Sequence, residues 1–140
     1  MLRMHGSSST TSTVLVIDDD PCMRSIVCTM LHSARINTLQ VGSAEEGLDW
    51  LAKNRADLLL LDWALPGMTG LELCQRLRKD KQHQGLPIVF LTGHSSSSEL
   101  VQAFEAGADD FVSKPFRAPE LRARVLGLLR RVVGERLAAG

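Results

Sequence analysis

No apolar stretch of this 140-residue chain is long enough to span a bilayer, although 44% of its residues are hydrophobic. The chain therefore reads as one compact soluble domain with its own core. Nor does it carry an excess of charge. Sixteen Lys and Arg balance sixteen Asp and Glu, and that balance gives no argument for nucleic acid. Cysteine is scarce and odd in number. Cys22, Cys28 and Cys74 sit inside helical patterns, lack the close spacing of a zinc site, and are expected to be buried free thiols in a reducing cytoplasm. Residues 1–13 have no apolar core of signal-peptide length and are rich in Ser and Thr, so they are read as a disordered tail. The cluster Arg76, Arg78, Lys79 and Lys81 is read as a solvated helix end.

What is present is alternation. Short β-branched or Leu-rich runs at 14–17, 38–41, 58–61, 88–91 and 111–112 are each followed by a longer segment of helical period. Pro21 suits the first turn of a helix whose apolar face is Met23, Ile26, Val27, Met30 and Leu31. Ser43 with Glu46, Thr69 with Glu72 and Ser96 with Glu99 have the spacing of capping boxes. They precede further helices, one with the face Gly70, Leu73, Cys74 and Leu77, another with Leu100, Ala103, Phe104 and Gly107. The run Leu58 to Leu61 has no polar alternation, as expected of a strand covered by helices on both faces. The pattern predicts a doubly wound α/β domain with a five-stranded parallel sheet.

Four of the runs stop at polar residues: Asp18 and Asp19, Asp62, Thr92, and Lys114. In a parallel sheet these ends share the edge where open α/β folds place their ligand crevice. Three carboxylates meeting there would repel one another unless a cation lay between them, and hard oxygen donors with room for water suit Mg²⁺, or Mn²⁺ in its place. Asp62, at the end of a buried strand, can then act as a nucleophile towards phosphorus and form an aspartyl phosphate. Lys114 and Thr92 supply an ammonium and a hydroxyl to the phosphoryl oxygens. Taken singly, each of these residues is an ordinary cap, turn or surface residue. Their conjunction on four strand ends is what carries the reading.

The segments VLVIDDDP (14–21), DLLLLDWALPGMTGLEL (57–73), PIVFLTG (87–93) and GADDFVSKPF (107–116) resemble the receiver domain of bacterial two-component response regulators, of the chemotaxis-regulator type. The resemblance covers residues 14–131, leaving 132–140 as the end of the last helix or the start of a linker. It implies a (βα)5 flavodoxin-like fold and a cytoplasmic signalling switch rather than a turnover enzyme. In the family's pattern Asp62 matches the phospho-acceptor, which takes its phosphoryl group from a histidine kinase or phosphotransfer protein and later loses it by self-catalysed hydrolysis. Asp19 matches the direct metal ligand, Asp18 a ligand acting largely through water, and the main-chain carbonyl of Ala64 a further ligand. Thr92 and Lys114 match the phosphoryl-binding pair, Phe111 the switch aromatic, and Lys114–Pro115 a bond that is commonly cis. Phosphorylation is then expected to draw the Thr92 loop inward and let Phe111 turn into the space it leaves. Ala64 and His94 fall at the two positions thought to tune phosphate lifetime.

The last helix carries two apolar ridges. Leu121, Val125, Leu128 and Val132 form one, and Leu126, Leu129, Val133 and Leu137 the other. One packs on the sheet, and the second is either a homodimer or domain contact, on the face of helix 4, strand 5 and helix 5, or a frayed end near Gly134. Arg117, Arg122, Arg124, Arg130 and Arg131 beside it are read as solvated. No reader helix follows Arg131, so direct nucleic-acid binding by this chain is not expected. Two rival readings are a haloacid-dehalogenase-like phosphatase, using Asp18, Asp20, Asp109 and Asp110, and an unphosphorylated receiver-like scaffold. The order of Lys114 after Asp110 argues against the first, and the full set of site side chains against the second.

Overall fold

The computed structural model describes residues 11–33, 35–93 and 96–139, with the side chains of 133 and 135–139 left aside. Strands β1 (Ser12–Ile17), β2 (Ile36–Val41), β3 (Leu58–Asp62), β4 (Ile88–Thr92) and β5 (Asp110–Ser113) alternate with helices α1 (Pro21–Met30), α2 (Ala44–Lys53), α3 (Gly70–Arg78), α4 (Ser97–Glu105) and α5 (Ala118–Ala139). All pairings are parallel, in the order β2-β1-β3-β4-β5. Because β1, β3 and β4 are central and covered on both sides, their residues from Val14, Leu58 and Ile88 onward are almost entirely buried, which explains the missing alternation. Successive side chains still point to opposite faces. Leu15, Ile17, Leu59, Leu61, Ile88 and Phe90 join Leu51, Leu73, Leu77 and Ala103 from α2, α3 and α4. Val14, Val16, Leu58, Leu60, Val89 and Leu91 join Val27 and Leu31 with Leu121, Val125 and Leu129 of α5.

Several expectations change. Strand β1 starts at Ser12, so residues 12 and 13 belong to the sheet and not to a tail. The Ser12 N–H donates to the Arg35 carbonyl at 2.9 Å and the Thr13 N–H to Asp57 Oδ2 at 2.7 Å. Residues 1–10 lie outside the described residues. In α1, Ile26 is 47% exposed, and in α4 Leu100, Val101 and Phe104 are 41%, 52% and 47% exposed. These helices are short and rest on the sheet by one narrow stripe, Ala103 being the buried residue of α4. In α5 the sheet-facing row is Leu121, Val125 and Leu129, spaced four apart and drawn from both expected ridges. The helix runs on past Gly134, while the Val133 and Leu137 side chains lie outside the description. Of the thiols only Cys74 is buried, with Cys22 exposed and Cys28 between.

The helix starts behave as their spacing predicts. The Thr69 hydroxyl accepts from the Glu72 N–H at 3.1 Å while Glu72 accepts from the Thr69 N–H at 2.9 Å, a complete box. The Thr69 N–H, and then the Thr69 hydroxyl, hold the Glu72 carboxyl below the usual carboxylate range. Ser43 and Ser96 form only the hydroxyl half of their expected boxes, accepting from the Glu46 and Glu99 N–H groups at 3.1 and 3.2 Å, while the Glu46 carboxyl accepts from the Gly42 N–H. Thr69→Ala should therefore lower stability by about 1 kcal/mol, read from urea denaturation midpoints at unchanged m.

Candidate functional site

The strand register delivers the polar residues to one edge. Ile17 lies level with Leu61, Asp62 with Leu91, and Thr92 with Ser113. Asp18 and Asp62 follow or end central strands and are 2% and 6% exposed, while Asp19 is exposed. One carboxylate oxygen from each of Asp18, Asp19 and Asp62 lies within 4.8 Å of the others. Lys114, just past β5, reaches across Thr92 to this cluster. Its Nζ is 3.3 Å from Asp62 Oδ1 and 3.6 Å from Asp18 Oδ2. Its own N–H donates to the Thr92 carbonyl at 2.6 Å, and the Lys114–Pro115 peptide is cis. Thr92 is buried at the end of β4.

The electrostatics are unbalanced in favour of negative charge. Burial, and then the neighbouring Asp18 charge, raise the Asp62 carboxyl above its ordinary value, with Lys114 opposing. Asp18 Oδ1 accepts from the Asp20 N–H at 2.9 Å, but its Oδ2 is fully buried without a hydrogen-bond partner. A buried anionic oxygen left in that state is costly. A hard divalent cation bound by these oxygens would remove the cost, so the residues present fit Mg²⁺.

The aromatic side chains lie just beneath. The Trp63 ring meets Phe90 at 5.1 Å and Phe111 at 6.1 Å between centroids, both edge to face. Phe111 is half-buried and packs against the α2, α3 and α4 side of the core.

The family model described as the response regulator receiver domain matches residues 14–126. This chain belongs to that family. The receiver is 42% identical over 118 residues to the DNA-binding response regulator MtrA of Mycolicibacterium smegmatis, covering 84% of this chain and 50% of the relative. It is 36% identical over 119 residues to the phosphate regulon transcriptional regulatory protein PhoB of Pseudomonas aeruginosa, covering 85% and 52%. The chain thus spans about half the length of the curated relatives it matches. A solved CheY-like receiver domain protein from Methanospirillum hungatei superposes with a TM-score of 0.82 at 26% identity, covering 89% of this chain and 98% of that one. The protein is therefore a receiver of the two-component response regulators, with the CheY-like flavodoxin fold. Among the described residues no helix is long and apolar enough to cross a membrane.

Asp18, Asp19, Asp62 and Lys114 come together as the sequence suggests, with Thr92 on the neighbouring strand end. Ala64 lies exposed in the turn after β3, and His94 lies outside the described residues. Asp20, offered by the phosphatase reading as a loop acid, is the cap of α1, accepting from the Cys22 N–H at 2.9 Å.

Of the charged residues taken as solvated, Arg78 needs the correction. Arg78 donates to the carbonyls of Gly107, His83 and Leu86 and pairs with Asp109 at 3.0 Å. Arg122, Arg124 and Arg131 are exposed as expected, though Arg124 pairs with Asp110 and Glu120, Arg131 with Asp109, and Arg122 donates to the Met30 carbonyl. Sequence reading also passed over Arg24 and Glu45, whose side chains reach the backbone of the two acidic loops. The signal available for Arg24 was its place one turn after the acids on a helix that starts beside them.

Proposed function

We propose that this receiver accepts a phosphoryl group on Asp62 from a phosphohistidine on a sensor kinase or phosphotransfer protein, and switches conformation to act on a partner. The observation that carries the reading is the position of Lys114 Nζ, against Asp62 and Asp18 at once, beside three clustered carboxylates. Asp18, Asp19, Asp62 and the Ala64 carbonyl would hold Mg²⁺, with Mn²⁺ able to replace it. The bound ion supplies positive charge for the transferring group.

An Asp62 oxygen attacks phosphorus in line with the bond to the donor imidazole. The new O–P bond forms as the P–N bond breaks, and the departing nitrogen keeps the electron pair and takes up a proton. Lys114 Nζ holds one phosphoryl oxygen and the Thr92 hydroxyl another. Hydrolysis later breaks that O–P bond by attack of water at phosphorus, returning the carboxylate and inorganic phosphate. The chain acts as its own catalyst in both steps and is otherwise a switch. Added charge at Asp62 draws Thr92 inward, and Phe111, already against Trp63, turns further into the core.

The receiver proper is 14–131 with the two strand residues before it, and α5 runs on from there to Ala139. Leu100, Val101 and Phe104 of α4, a helix that contacts β5, are exposed and offer a homodimer face, an apolar surface of the kind that marks interaction sites. Direct nucleic-acid contact is not assigned to this chain, and a cytoplasmic location suits its kinase partner.

The test is incubation with Mg²⁺ and acetyl phosphate, followed by peptide mass spectrometry. One metal-dependent phosphoryl group on the peptide carrying Asp62 is expected. An adduct on Asp18, or none, would sink the receiver chemistry and revive the phosphatase or scaffold.

A further inference from the structure

Two side chains from outside the acidic cluster hold the loops that carry it, and both connect those loops to the junction of β2 and α2. The first is Arg24 of α1. At the end of β1 the Asp18 N–H still donates to the Val41 carbonyl, at 3.3 Å, but the chain then leaves the sheet. Arg24 Nη1 donates to the Asp18 carbonyl at 2.7 Å, and its Nε donates to Gln40 Oε1 of β2 at 3.2 Å. Space for the guanidinium depends on Gly42, where a β-carbon would lie 3.3 Å from Nη1. Asp18 is thereby fixed at both its main-chain groups.

The second is Glu45 in the first turn of α2. The loop from Trp63 to Thr69 leaves β3 and turns at Gly67, whose φ of 74° is the left-handed conformation that suits glycine. Glu45 Oε2 accepts from the next N–H, that of Met68, at 3.1 Å. A β-carbon on Gly67 would lie 3.1 Å from the same oxygen.

We infer that Arg24 and Glu45 are positioning residues for the metal centre, tying the Asp18–Asp19 loop and the Asp62–Ala64 loop to one rigid block, the β2–α2 junction. The inference rests on the proposed receiver chemistry. Neither side chain touches the ion or the phosphoryl group. Each sets the distance between carboxylates that must converge on one cation, and outer partners of this kind commonly govern metal affinity. Both ties, to β2 and to α2, are specific. A guanidinium fork can serve Asp18 and Gln40 together where a lysine serves one, and the Met68 N–H needs an acceptor, not a charge.

The test uses the full chain with Trp50→Phe, so that Trp63, next to Asp62, is the reporting indole in Mg²⁺ titrations. Arg24→Met and Glu45→Ala should each raise the Mg²⁺ Kd about tenfold, and Glu45→Gln, which keeps the acceptor oxygen, should stay within about twofold of the parent. Arg24→Lys should fall between Arg24→Met and the parent, and it gives the comparison if Arg24→Met does not fold. Melting in EDTA measures each residue's purely structural share. An unchanged Kd alongside a lowered melting temperature would overturn the inference and leave the two residues as structural ties. A parent that shows no response to Mg²⁺ overturns it too, but through failure of the receiver chemistry itself.

Discussion

Asp62→Asn should abolish phosphoryl incorporation from acetyl phosphate while making the metal-free protein more stable at neutral pH. The first effect follows from nucleophilicity. An amide oxygen is a far poorer nucleophile than a carboxylate, and no other acid in the cluster ends β3 at the position Asp62 holds. The second follows from the charge balance. Burial and Asp18 raise the Asp62 carboxyl, so the folded state binds a proton more tightly than the unfolded chain does. Stability contributed by that proton is fully present at low pH. It is lost as pH rises from the ordinary carboxylate range through the raised folded value. Asparagine has no such titration. The variant should therefore gain on the parent across that window and stay ahead above it, by a few degrees of melting temperature.

Mg²⁺ should narrow or reverse the order, because an ion bound to the parent at one hundred times its Kd adds about 2.7 kcal/mol and the variant has lost a ligand. Melting curves at several pH values with EDTA or Mg²⁺ decide the matter. A variant less stable than the parent in EDTA at neutral pH would show that the Lys114 contact outweighs the repulsion.

Gly70→Ala should cost about 3 kcal/mol of stability, by overpacking, and should also depress phosphorylation. Gly70 opens α3, where the helix lies directly on the end of β3. A β-carbon there would run into the main-chain oxygen of Asp62, with Phe90 Cε1 at 3.1 Å and Leu61 Cγ at 3.3 Å. The strand cannot yield without moving the acceptor residue itself. Gly47 makes the comparison. Its added carbon would meet Ile17 Cδ1 at 2.5 Å, but that is the end of a side chain that can rotate. Alanine also gains about 1 kcal/mol of helix propensity in the middle of α2. Gly47→Ala should thus stay within about 1 kcal/mol of the parent and phosphorylate normally. Urea denaturation of the two variants, with acetyl phosphate labelling, separates a backbone clash from a side-chain one. Equal losses would argue that helix α3 can lift off β3 freely.

Most of the fold was legible because burial on both faces leaves unbroken apolar runs, and because capping pairs such as Thr69 with Glu72 act within one turn. The α3 face of Gly70, Leu73, Cys74 and Leu77 is wholly buried as its spacing predicts. Where periodicity misled, the missing quantity was how much of a helix the sheet could cover. Leu100 and Phe104 have the same spacing as Leu73 and Leu77, yet α4 lies beside the edge strand β5 and buries little beyond Ala103. Arg78 misled for a related reason. Arg78 reads as one of four cations at a helix end, but its partners are carbonyls contributed by two other loops.

The sequence by itself determined the alternation of strands and helices, the helix starts, and the kinds of chemical group at the strand ends, because each depends on neighbours within a turn or on composition. The tertiary structure alone decided which strand ends stand side by side, that Lys114 spans Asp62 and Asp18, that Asp18 Oδ2 is left buried without a hydrogen-bond partner, and that Arg24 and Glu45 tie the acidic loops to β2 and α2. Those facts depend on distances between residues far apart in the chain, which the strand order β2-β1-β3-β4-β5 sets and no local pattern encodes.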